Sequence, residues 1–460
     1  MADGSGYVNR DIHKAVEPNH RLTGIAVRIW LVTVGEPLPT DGSNERLLRT
    51  GILAGFLVRK GHEVLWWTSA FDHVRKTHRV ANNTIVSLAG NYRITMLHSC
   101  GYRRNISFSR LSDHRELARK FLEFAPREPV PNVILCSMPT IELSREVVRY
   151  ANRREIPVVL DIRDLWPDVI MDIAPPWARW AAQLFLSSLF RDLREACAGA
   201  TAVVGITDPI VEWGVRYAGR PRTGLDRAFP FGYVQQIPLP GEMKKAQRYW
   251  DGLGIGADPG EFLVCFFGTI GRQFDLETVI IAARRLERGG RRFRFVLCGD
   301  GDMLPHYRKL AGDITSVVFP GWVGAAEIWT LMRIARAGLA PYRNSIDFRS
   351  SLPNKSIEYL SAGLPLVSSL TGELERLLDE HGCGVTYTEG DAESLATVLV
   401  ELHDHSARLE TMAAKASALY QGRFTAERIY NELCGYLEDL ALGIPSSKRD
   451  AVSFSKNGGT

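Results

Sequence analysis

Short apolar runs alternate with longer amphipathic segments along most of the chain. Six runs rich in β-branched residues come first, at VRIWLVTVG, HEVLWWTSA, YRITMLHSC, NVILCSMP, IPVVLDIRD and ATAVVGIT. Each is too short for an independent helix and predicts a strand buried on both faces of a parallel sheet. Segments such as NERLLRTGILAGFLVRKGH carry apolar residues at helical spacing and stop at a glycine, here Gly61. This alternation predicts an α/β fold with a doubly wound parallel sheet.

The alternation is interrupted once and then restarts, which predicts two domains. Residues 236–260 are rich in proline, glycine and charge without a sustained period, and we interpret them as an inter-domain linker. Strand-like runs resume at EFLVCFFGTIG, RFRFVLCGDGD, VVFPGWVG, AGLAPY, LPLVSSL and GVTYTEGD. We expect Rossmann-like domains over 23–235 and 261–425, and a final helix over 426–443 that could pack on either domain. Residues 1–22 and 444–460 are expected to be disordered tails.

Composition changes this picture only by excluding some classes of protein. The formal net charge is +4 over 460 residues, which argues against nucleic acid as the main partner. The seven cysteines show no CxxC spacing, so we expect neither a disulfide framework nor a zinc site, and we expect a cytoplasmic location. Neither a signal peptide nor a transmembrane run is expected from the sequence.

The stretch SSLPNKSIEYLSAGLPLVSS carries the first candidate site. It predicts a helix from about Pro353 to Ala362, with Leu352 as a poor N-cap and Gly363 closing the helix in a left-handed conformation. Amides in an uncapped first turn bind anions. Lys355 would add a positive charge there, and Glu358 on the same face could accept hydrogen bonds from a vicinal diol such as a ribose. The alternative is a Lys–Glu pair on a solvated helix surface.

A second candidate follows a predicted strand in FFGTIGRQFDLETVI. The strand should end at Phe267, a Gly-x-x-Gly turn and Arg272 should follow, and a helix should begin near Leu276. Glycines let the backbone approach a ligand closely, and an arginine grips a diphosphate through paired donors. The alternative is an ordinary turn between a strand and a helix.

Two further candidates lie in the first half of the chain. VRIWLVTVGEPLPTDGSNERLL lacks a G-x-G-x-x-G pattern, so we reject a nicotinamide cofactor. A loop around Gly42 could close over a phosphate or sugar, or Asp41 or Ser43 could simply cap the next helix. In VVLDIRDLWPD, Asp161 and Arg163 could form a structural pair, with Asp168 nearby in the same charged cluster, and Asp164 is the candidate functional carboxylate at the strand's exit.

Taken together, these motifs resemble a known family. PNKSIEYLSAGLPLV resembles the PxKxxEYxAxGxPVV signature of the retaining family 4 glycosyltransferases, whose GT-B fold has two Rossmann-like domains facing across a cleft. DGSNERLLRTGILAGFLVRKGHEV is similar to their glycine loop and first helix, and FFGTIGR and FPGWV also match. VVLDIRDLWPD resembles the branch that builds bacterial surface polysaccharides. The resemblance covers residues 27–440.

The resemblance implies roles for individual positions. Arg272 and Lys355 would hold the donor diphosphate, Glu358 the ribose hydroxyls and Gly42 the donor phosphate and sugar, while the backbone at Trp322 and Val323 would contact the base. The implied catalytic residues are Asp164, Arg272 and Lys355, and the implied donor-binding residues are Gly42, Gly268, Thr269, Arg272, Val323, Ser351, Lys355 and Glu358. No metal ligand and no cofactor is expected.

Three positions depart from the family pattern. Ser350 stands where many members have a glutamate that contacts the donor sugar. RQFDLE has no lysine after its arginine, and Arg163 stands where many members have a histidine. These departures leave the identity of the donor sugar open.

The function implied is transfer of a sugar from a nucleoside-diphosphate sugar to the hydroxyl of a saccharide or lipid-linked acceptor, with retention, in surface polysaccharide or glycolipid biosynthesis. The alternatives are a sugar-nucleotide 2-epimerase and a non-catalytic sugar-nucleotide binding protein. PPWARWAAQLFLSSLFRDLREACAG predicts either a core helix or a helix in the membrane interface, which would place the protein at the inner face of the cell membrane. This run has large apolar residues in a helix-like pattern, among them Trp177, Trp180, Leu184, Phe185, Leu189 and Phe190.

Overall fold

The computed structural model describes residues 25–42, 46–105, 107–258 and 260–444. The chain folds into two compact units. The first unit ends at Phe229, the second begins at Pro230, and the chain returns to the first unit at Tyr430. We call them the amino-terminal unit and the carboxyl-terminal unit. The tails predicted at 1–22 and 444–460 lie outside the described residues, apart from Ile444.

The amino-terminal unit is built on one large sheet. Its strands are β1 (Arg28–Val32), β2 (Glu63–Ser69), β3 (Phe71–Asp72), β4 (Thr77–His78), β5 (Thr84–Ala89), β6 (Tyr92–Leu97), β7 (Val133–Met138), β8 (Val158–Ile162), β9 (Ala202–Gly205) and β10 (Arg227–Ala228). The sheet order is β10-β9-β8-β7-β1-β2-β6-β5, with β3 and β4 as a separate antiparallel pair. All six strands predicted in this half are present and pair in parallel, whereas β5 was not predicted and pairs antiparallel with β6.

Helices cover the strands of this unit. They are α1 (Arg49–Arg59), α2 (Phe108–Phe124), α3 (Ile141–Asn152), α4 (Asp168–Ile173), α5 (Arg179–Phe185), α6 (Ser187–Gly199) and α7 (Asp208–Ala218). Trp30 and Trp67 contact each other edge to face with ring centroids 5.3 Å apart, and Phe121 of α2 and Tyr150 of α3 pack on Trp30. These buried rings lie where α2 and α3 cover the sheet.

The carboxyl-terminal unit has a smaller, fully parallel sheet. Its strands are β11 (Phe262–Phe267), β12 (Phe293–Cys298), β13 (Val317–Gly321), β14 (Ala337–Ala340), β15 (Leu366–Ser368) and β16 (Gly384–Thr386), in the order β13-β12-β11-β14-β15-β16. All six were predicted from their apolar runs, although β13 and β16 are only partly buried. β11 lies at the centre of the sheet and is buried along its whole length.

The helices of this unit include one that the sequence interpretation missed. They are α8 (Pro240–Gly252), α9 (Leu276–Arg288), α10 (Leu304–Ala311), α11 (Ala325–Ile334), α12 (Ile346–Ser350), α13 (Asn354–Ser361), α14 (Glu373–His381), α15 (Ala392–Asp404) and α16 (Ser406–Leu419). The linker predicted at 236–260 is therefore wrong, because it contains α8. Trp250 of α8 is buried and donates to the carbonyl of Glu327 at 2.9 Å, so this helix belongs to the carboxyl-terminal unit.

The last helix, α17 (Ala426–Ala441), returns the chain to the amino-terminal unit. Glu438 accepts hydrogen bonds from Lys60 at 3.0 Å and contacts a ring nitrogen of His62 at 2.9 Å. The ring of Tyr430 lies 5.7 Å from that of Phe56. Most of the predicted 426–443 helix therefore packs on the first unit. None of the helices in the described residues is long and apolar enough to cross a membrane.

Candidate functional site

Helix α13 begins one residue later than the sequence predicted. Its N-cap is Pro353, not Leu352, because Pro353 has an extended conformation with φ −61° and ψ 137°. A proline side chain has no acceptor, and no side-chain hydrogen bond caps the first turn. The helix therefore lacks a side-chain cap, as predicted, although its N-cap residue is Pro353 and not the predicted Leu352. Gly363 has φ +67° and ends the helix in the predicted left-handed conformation.

Lys355, in the first turn of α13, is buried among aromatic rings. Its ammonium nitrogen lies 3.7 Å from the centre of the Phe266 ring and 4.2 Å from that of Phe274. Within the described residues this nitrogen has no hydrogen-bond partner. Cation–π contacts offset only part of the cost of burying an ammonium, so an anion placed here would supply the missing partner.

A glycine makes room for this ammonium. Gly268 follows β11 directly and has φ +141°. A Cβ atom added to Gly268 would lie only 2.7 Å from Nζ of Lys355. Two residues predicted to bind the donor, Gly268 and Lys355, therefore meet at the carboxyl end of the central strand, where ligands bind in open α/β sheets.

Burial lowers the pKa of Lys355 from its ordinary value to about 7, although Glu358 and the Cys265 thiol act in the opposite direction. Desolvation disfavours the charged form, and here it outweighs the favourable effect of Glu358. A bound diphosphate would restore the charge of Lys355. The surroundings of Lys355 would therefore favour binding of an anion.

Glu358 lies one turn after Lys355 and is buried as well. The exposed fraction is 9% for Lys355 and 8% for Glu358, so the solvated surface pair considered above is wrong. The hydroxyl of Tyr233 donates to Oε1 of Glu358 at 3.1 Å. Tyr233 comes from the start of this unit, more than a hundred residues before α13, and no sequence pattern indicated it.

Arg272 and Thr269 lie in the loop between β11 and α9, and both are exposed. The side chain of Arg272 is 86% exposed and only approaches Asp302, with Nε 3.9 Å from Oδ2. A contact this long and solvated contributes little, so the guanidinium can turn to a ligand at small cost. Helix α9 begins at Leu276 as predicted and is capped by Asp275, which accepts from the Thr278 amide.

Two glycines that sequence interpretation passed over pack this loop against its neighbour. Gly299 and Gly301 follow β12, and a Cβ atom on Gly299 would lie 1.8 Å from the carbonyl oxygen of Gly268. A Cβ atom on Gly301 would lie 2.3 Å from the carbonyl oxygen of Ile270. The Gly268 amide donates to the Cys298 carbonyl at 3.1 Å. The signal was present in the sequence, since Gly-Asp-Gly directly follows a predicted strand.

The remaining predicted residues of this unit have different environments. Val323 is buried, whereas Trp322 before it is 76% exposed. Ser351 is buried, and its hydroxyl contacts the Phe348 carbonyl at 3.4 Å. The hydroxyl of Ser350 donates to the Ile346 carbonyl at 2.8 Å inside α12. Ser350 thus has a local bond at the position where the related pattern has a glutamate.

Asp164 belongs to the amino-terminal unit and follows β8 by two residues, half-buried. Beside it, Asp161 is fully buried and accepts from Arg49 at 3.0 Å and from Arg163 at 2.8 Å. Arg163 also pairs with Glu36 and donates to Ser137 at 2.7 Å. Burial alone would raise the pKa of Asp161, but the two arginines hold it below its ordinary value. The predicted structural pairing of Asp161 and Arg163 is confirmed.

Asp168, further along the same motif, forms hydrogen bonds that link two helices. Its carboxylate accepts from Trp213 Nε1 at 2.6 Å and from the Tyr217 hydroxyl at 2.8 Å. Both donors lie on α7. Asp168 therefore joins the start of α4 to α7.

The loop after β1 is held by an ion pair rather than by a helix cap. Asp41 accepts from Arg79 at 2.6 and 2.8 Å, and helix α1 begins only at Arg49 with Leu48 as N-cap. The N-cap interpretation of Asp41 is wrong for this reason, and Ser43 lies outside the described residues. Gly42 is exposed and follows this fixed aspartate, with φ +150°.

The amino-terminal half of the apolar run over residues 175–199 is not a core helix. It forms a short 3-10 turn (Pro176–Ala178) and helix α5, neither of which has a buried residue, before α6 begins at Ser187. Trp177 and Trp180 are 79% and 68% exposed. Farther along the run, Leu186 before α6 and Leu189 and Leu193 on α6 are buried as core positions would be.

Comparisons with known proteins place the second sheet in a family. Residues 261–405 match the family described as "Glycosyl transferases group 1". This segment is similar to a glycosyltransferase domain. It begins at Glu261, just before β11, and contains Gly268, Arg272, Lys355 and Glu358. The match agrees with the prediction of a glycosyltransferase for this part of the chain.

One curated relative is similar over part of its length. The amylovoran biosynthesis glycosyltransferase AmsK of Erwinia amylovora is 28% identical over 170 residues, which are 36% of this chain and 42% of AmsK. The aligned stretch thus spans less than half of either protein.

Solved structures are similar over nearly the whole chain. Sucrose-phosphate synthase (tll1590) from Thermosynechococcus elongatus superposes with a TM-score of 0.67 at 16% identity, covering 91% of this chain and 100% of that one. Anabaena Alr3699/HepE in complex with UDP-glucose superposes with a TM-score of 0.59 at 17% identity, covering 90% and 100%. These likenesses confirm the predicted α/β GT-B fold with two Rossmann-like parallel-sheet domains.

Proposed function

We propose that this protein is a glycosyltransferase that moves a sugar from a nucleoside-diphosphate sugar to an acceptor hydroxyl, with retention of configuration. The observation that carries the proposal is Lys355. Within the described residues, its buried ammonium has no hydrogen-bond partner, and it lies beside a glycine loop at the end of the central strand. A diphosphate bound there would supply the missing acceptor.

The donor would bind in the carboxyl-terminal unit through charge and through its ribose. Lys355 and the first-turn amides of α13 would hold one end of the diphosphate, and Arg272 would turn onto it from the loop. As the bond to the sugar breaks, negative charge develops on the departing diphosphate, and these same groups would stabilise it. No metal ion and no cofactor takes part in this proposal.

Glu358 would bind the ribose. Its buried carboxylate accepts a hydrogen bond from Tyr233, and a carboxylate can accept several hydrogen bonds at once. A vicinal diol could donate two further hydrogen bonds. Tyr233 would then act as a positioning residue that fixes the carboxylate.

The acceptor would bind to the amino-terminal unit, with Asp164 near the reacting hydroxyl. We propose a saccharide or lipid-linked acceptor in the synthesis of a bacterial surface polysaccharide or glycolipid, at the cytoplasmic face of the membrane. Support comes from the name of AmsK, an amylovoran biosynthesis glycosyltransferase, and from the neighbour in complex with UDP-glucose. The comparisons do not favour the 2-epimerase alternative, and Ser350 alone does not favour a non-catalytic binding protein.

A methionine at position 355 tests the donor site. Lys355→Met keeps a flexible apolar chain among the aromatic rings and removes the charge. We expect the affinity for UDP, or for whichever of GDP and ADP binds more tightly, to fall about ten- to hundredfold by calorimetry, because a charge-assisted hydrogen bond is lost. We also expect the ligand-free variant to melt about 2 °C higher or more, because an unpaired buried charge is gone.

Lys309→Met is the matched control, since Lys309 is exposed on α10 and should change neither quantity. A structural lysine would behave in the opposite way. If Lys355→Met melted lower and bound every nucleoside diphosphate as tightly as the wild type, the donor-site assignment would be wrong.

A further inference from the structure

Five large apolar side chains form an exposed surface on the amino-terminal unit, which we call the Trp–Phe patch. Their exposed fractions lie between 53% and 79%. The members are Phe108, Trp177, Trp180, Leu184 and Phe185. Monomeric soluble proteins rarely expose this many large apolar groups together, and such patches mark surfaces that bind a partner.

The patch is built from two separate elements. Trp180, Leu184 and Phe185 belong to α5, which has no buried residue. Phe108 opens α2, and its ring meets that of Phe185 edge to face with centroids 5.1 Å apart. A helix that contributed to the core would turn these residues inward, whereas here a second element supports them on the outside.

The chain around the patch is basic. Residues 102–110 contain Arg103, Arg104 and Arg110 and no acidic residue, and residues 174–191 contain Arg179 and Arg191 and no acidic residue. Arg103, Arg104 and Arg179 are exposed. Arg191 approaches Asp192, with Nε 3.6 Å from Oδ1. The five arginines of these two segments therefore complement a negatively charged surface.

Arg110 lies on α2, two residues after Phe108, and its guanidinium lies near two aromatic rings. Its Cζ lies 5.2 Å from the Trp166 ring centre and 5.8 Å from that of Tyr102. Nη1 donates to the Asn105 carbonyl at 2.8 Å, while Nε is buried without a hydrogen-bond partner in the described part of the chain. Arg110 thus adds a fixed positive charge to the helix that carries Phe108, and phospholipids combine anionic headgroups with apolar acyl chains.

We propose that the Trp–Phe patch, with its flanking arginines, is the surface by which this protein docks onto a bilayer that contains anionic phospholipid. The aromatic rings enter the interface between headgroups and acyl chains, and the arginines lie among the lipid phosphates. Docking goes beyond the proposed transfer reaction and does not depend on it, because vesicle binding requires neither donor nor acceptor.

Vesicle sedimentation tests the proposal with the full-length protein. The wild type should pellet with phosphatidylcholine vesicles that contain about 30% phosphatidylglycerol, less at high salt, and poorly with phosphatidylcholine alone. Trp180→Glu with Phe185→Glu should reduce partitioning at least about tenfold. Ile85→Glu with Ile281→Glu is the matched control, since these isoleucines are exposed elsewhere and should leave partitioning unchanged.

A second variant keeps the test independent of any folding defect. Arg103→Gln with Arg104→Gln changes two exposed side chains and should weaken binding to anionic vesicles at low salt. The proposal is overturned if the wild type ignores anionic vesicles or if both variants pellet like the wild type. It is also overturned if the wild type is a dimer by light scattering that the glutamate variant dissociates without any change in vesicle binding, since the patch would then bind a second copy.

Discussion

Lys355 has a pKa that makes donor binding depend on pH. Burial lowers the pKa to about 7, so at pH 8 to 9 the ligand-free protein holds this side chain mostly neutral. A diphosphate stabilises the charged form, and binding at that pH should therefore take up about one proton. Calorimetry in buffers of different ionisation enthalpy measures this number. Lys355→Met should take up none, and proton uptake equal to that of the wild type would refute the role of Lys355.

The lowered pKa of Lys355 also makes the stability of the ligand-free protein depend on pH. The pKa of Lys355 is about 7 in the folded chain and about 10.5 when unfolded, so between these values the unfolded chain binds more protons. The cost of burying the charge is complete below pH 7 and is relieved as the pH rises towards 10.5. The free energy of unfolding of the ligand-free wild type should rise over this window relative to that of Lys355→Met.

Asp164 and Asp168 are neighbours in one motif but should respond differently to the same substitution. Asp168 accepts hydrogen bonds from Trp213 and Tyr217, so Asp168→Asn should lower the melting temperature by weakening the contact between α4 and α7. Asp164→Asn should instead reduce turnover, with little change in melting temperature or nucleotide affinity. Initial rates and thermal denaturation on the same preparations separate the two. If Asp164→Asn lost stability but kept its turnover per folded molecule, Asp164 would be structural.

At the level of elements, glycines at the ends of three parallel strands of the second sheet hold the loop between β11 and α9. The amide of Gly268 bonds to the end of β12, and the amide of Gly299 bonds to the Gly321 carbonyl at 2.7 Å. These bonds fix the loop that carries Thr269 and Arg272. The position of Arg272 thus depends on close backbone contacts between this loop and the residues after β12. These contacts leave no space for a side chain at Gly299 or Gly301.

Gly299→Ala should therefore damage both stability and donor binding. Its Cβ would clash with the Gly268 carbonyl, and the residue has φ +136°. Gly254→Ala is the control, because Gly254 also has a positive φ, +67°, but nothing lies within 4 Å of its Cβ. We expect about 1 kcal/mol lost in the control and clearly more in Gly299→Ala, with nucleotide binding weakened only in the latter. Equal losses in urea unfolding and unchanged calorimetry for both would show that the packing is unimportant.

Strands buried on both faces were predictable because their apolar runs are unbroken. β5 was missed because it lies at the sheet edge with most of its residues exposed, so its sequence lacks such a run. Helix α8 was missed because its buried residues, Ala246 and Trp250, are few among charged neighbours. Its position is explained by its packing on α11, which the sequence does not show.

The candidate site was predictable where its residues are close in sequence. Lys355 and Glu358 stand on one helical turn, and the spacing alone placed them on a shared face. Tyr233 and Gly299 join them from distant segments, and such partners depend on the tertiary fold. The burial of Lys355 among aromatic rings, which gives it its pKa, could not be predicted from the motif either.

For the whole molecule, the proposal divides the work between the two units. The donor residues lie in the carboxyl-terminal unit, whereas Asp164, Gly42 and the Trp–Phe patch belong to the amino-terminal unit. Sugar transfer would require both units in one protein. A sugar-nucleotide binding protein would need only the second, and an epimerase would change the donor without any acceptor.

Product analysis by mass spectrometry tests this account most directly. Purified protein would be incubated with a panel of nucleoside-diphosphate sugars and lipid-linked acceptors, with and without acceptor, beside Lys355→Met. We predict that one donor and acceptor pair gives an acceptor heavier by one glycosyl unit together with free nucleoside diphosphate, and that Lys355→Met gives far less. An altered donor sugar in the absence of acceptor, or tight donor binding with no transfer to any acceptor of the panel, would contradict the account.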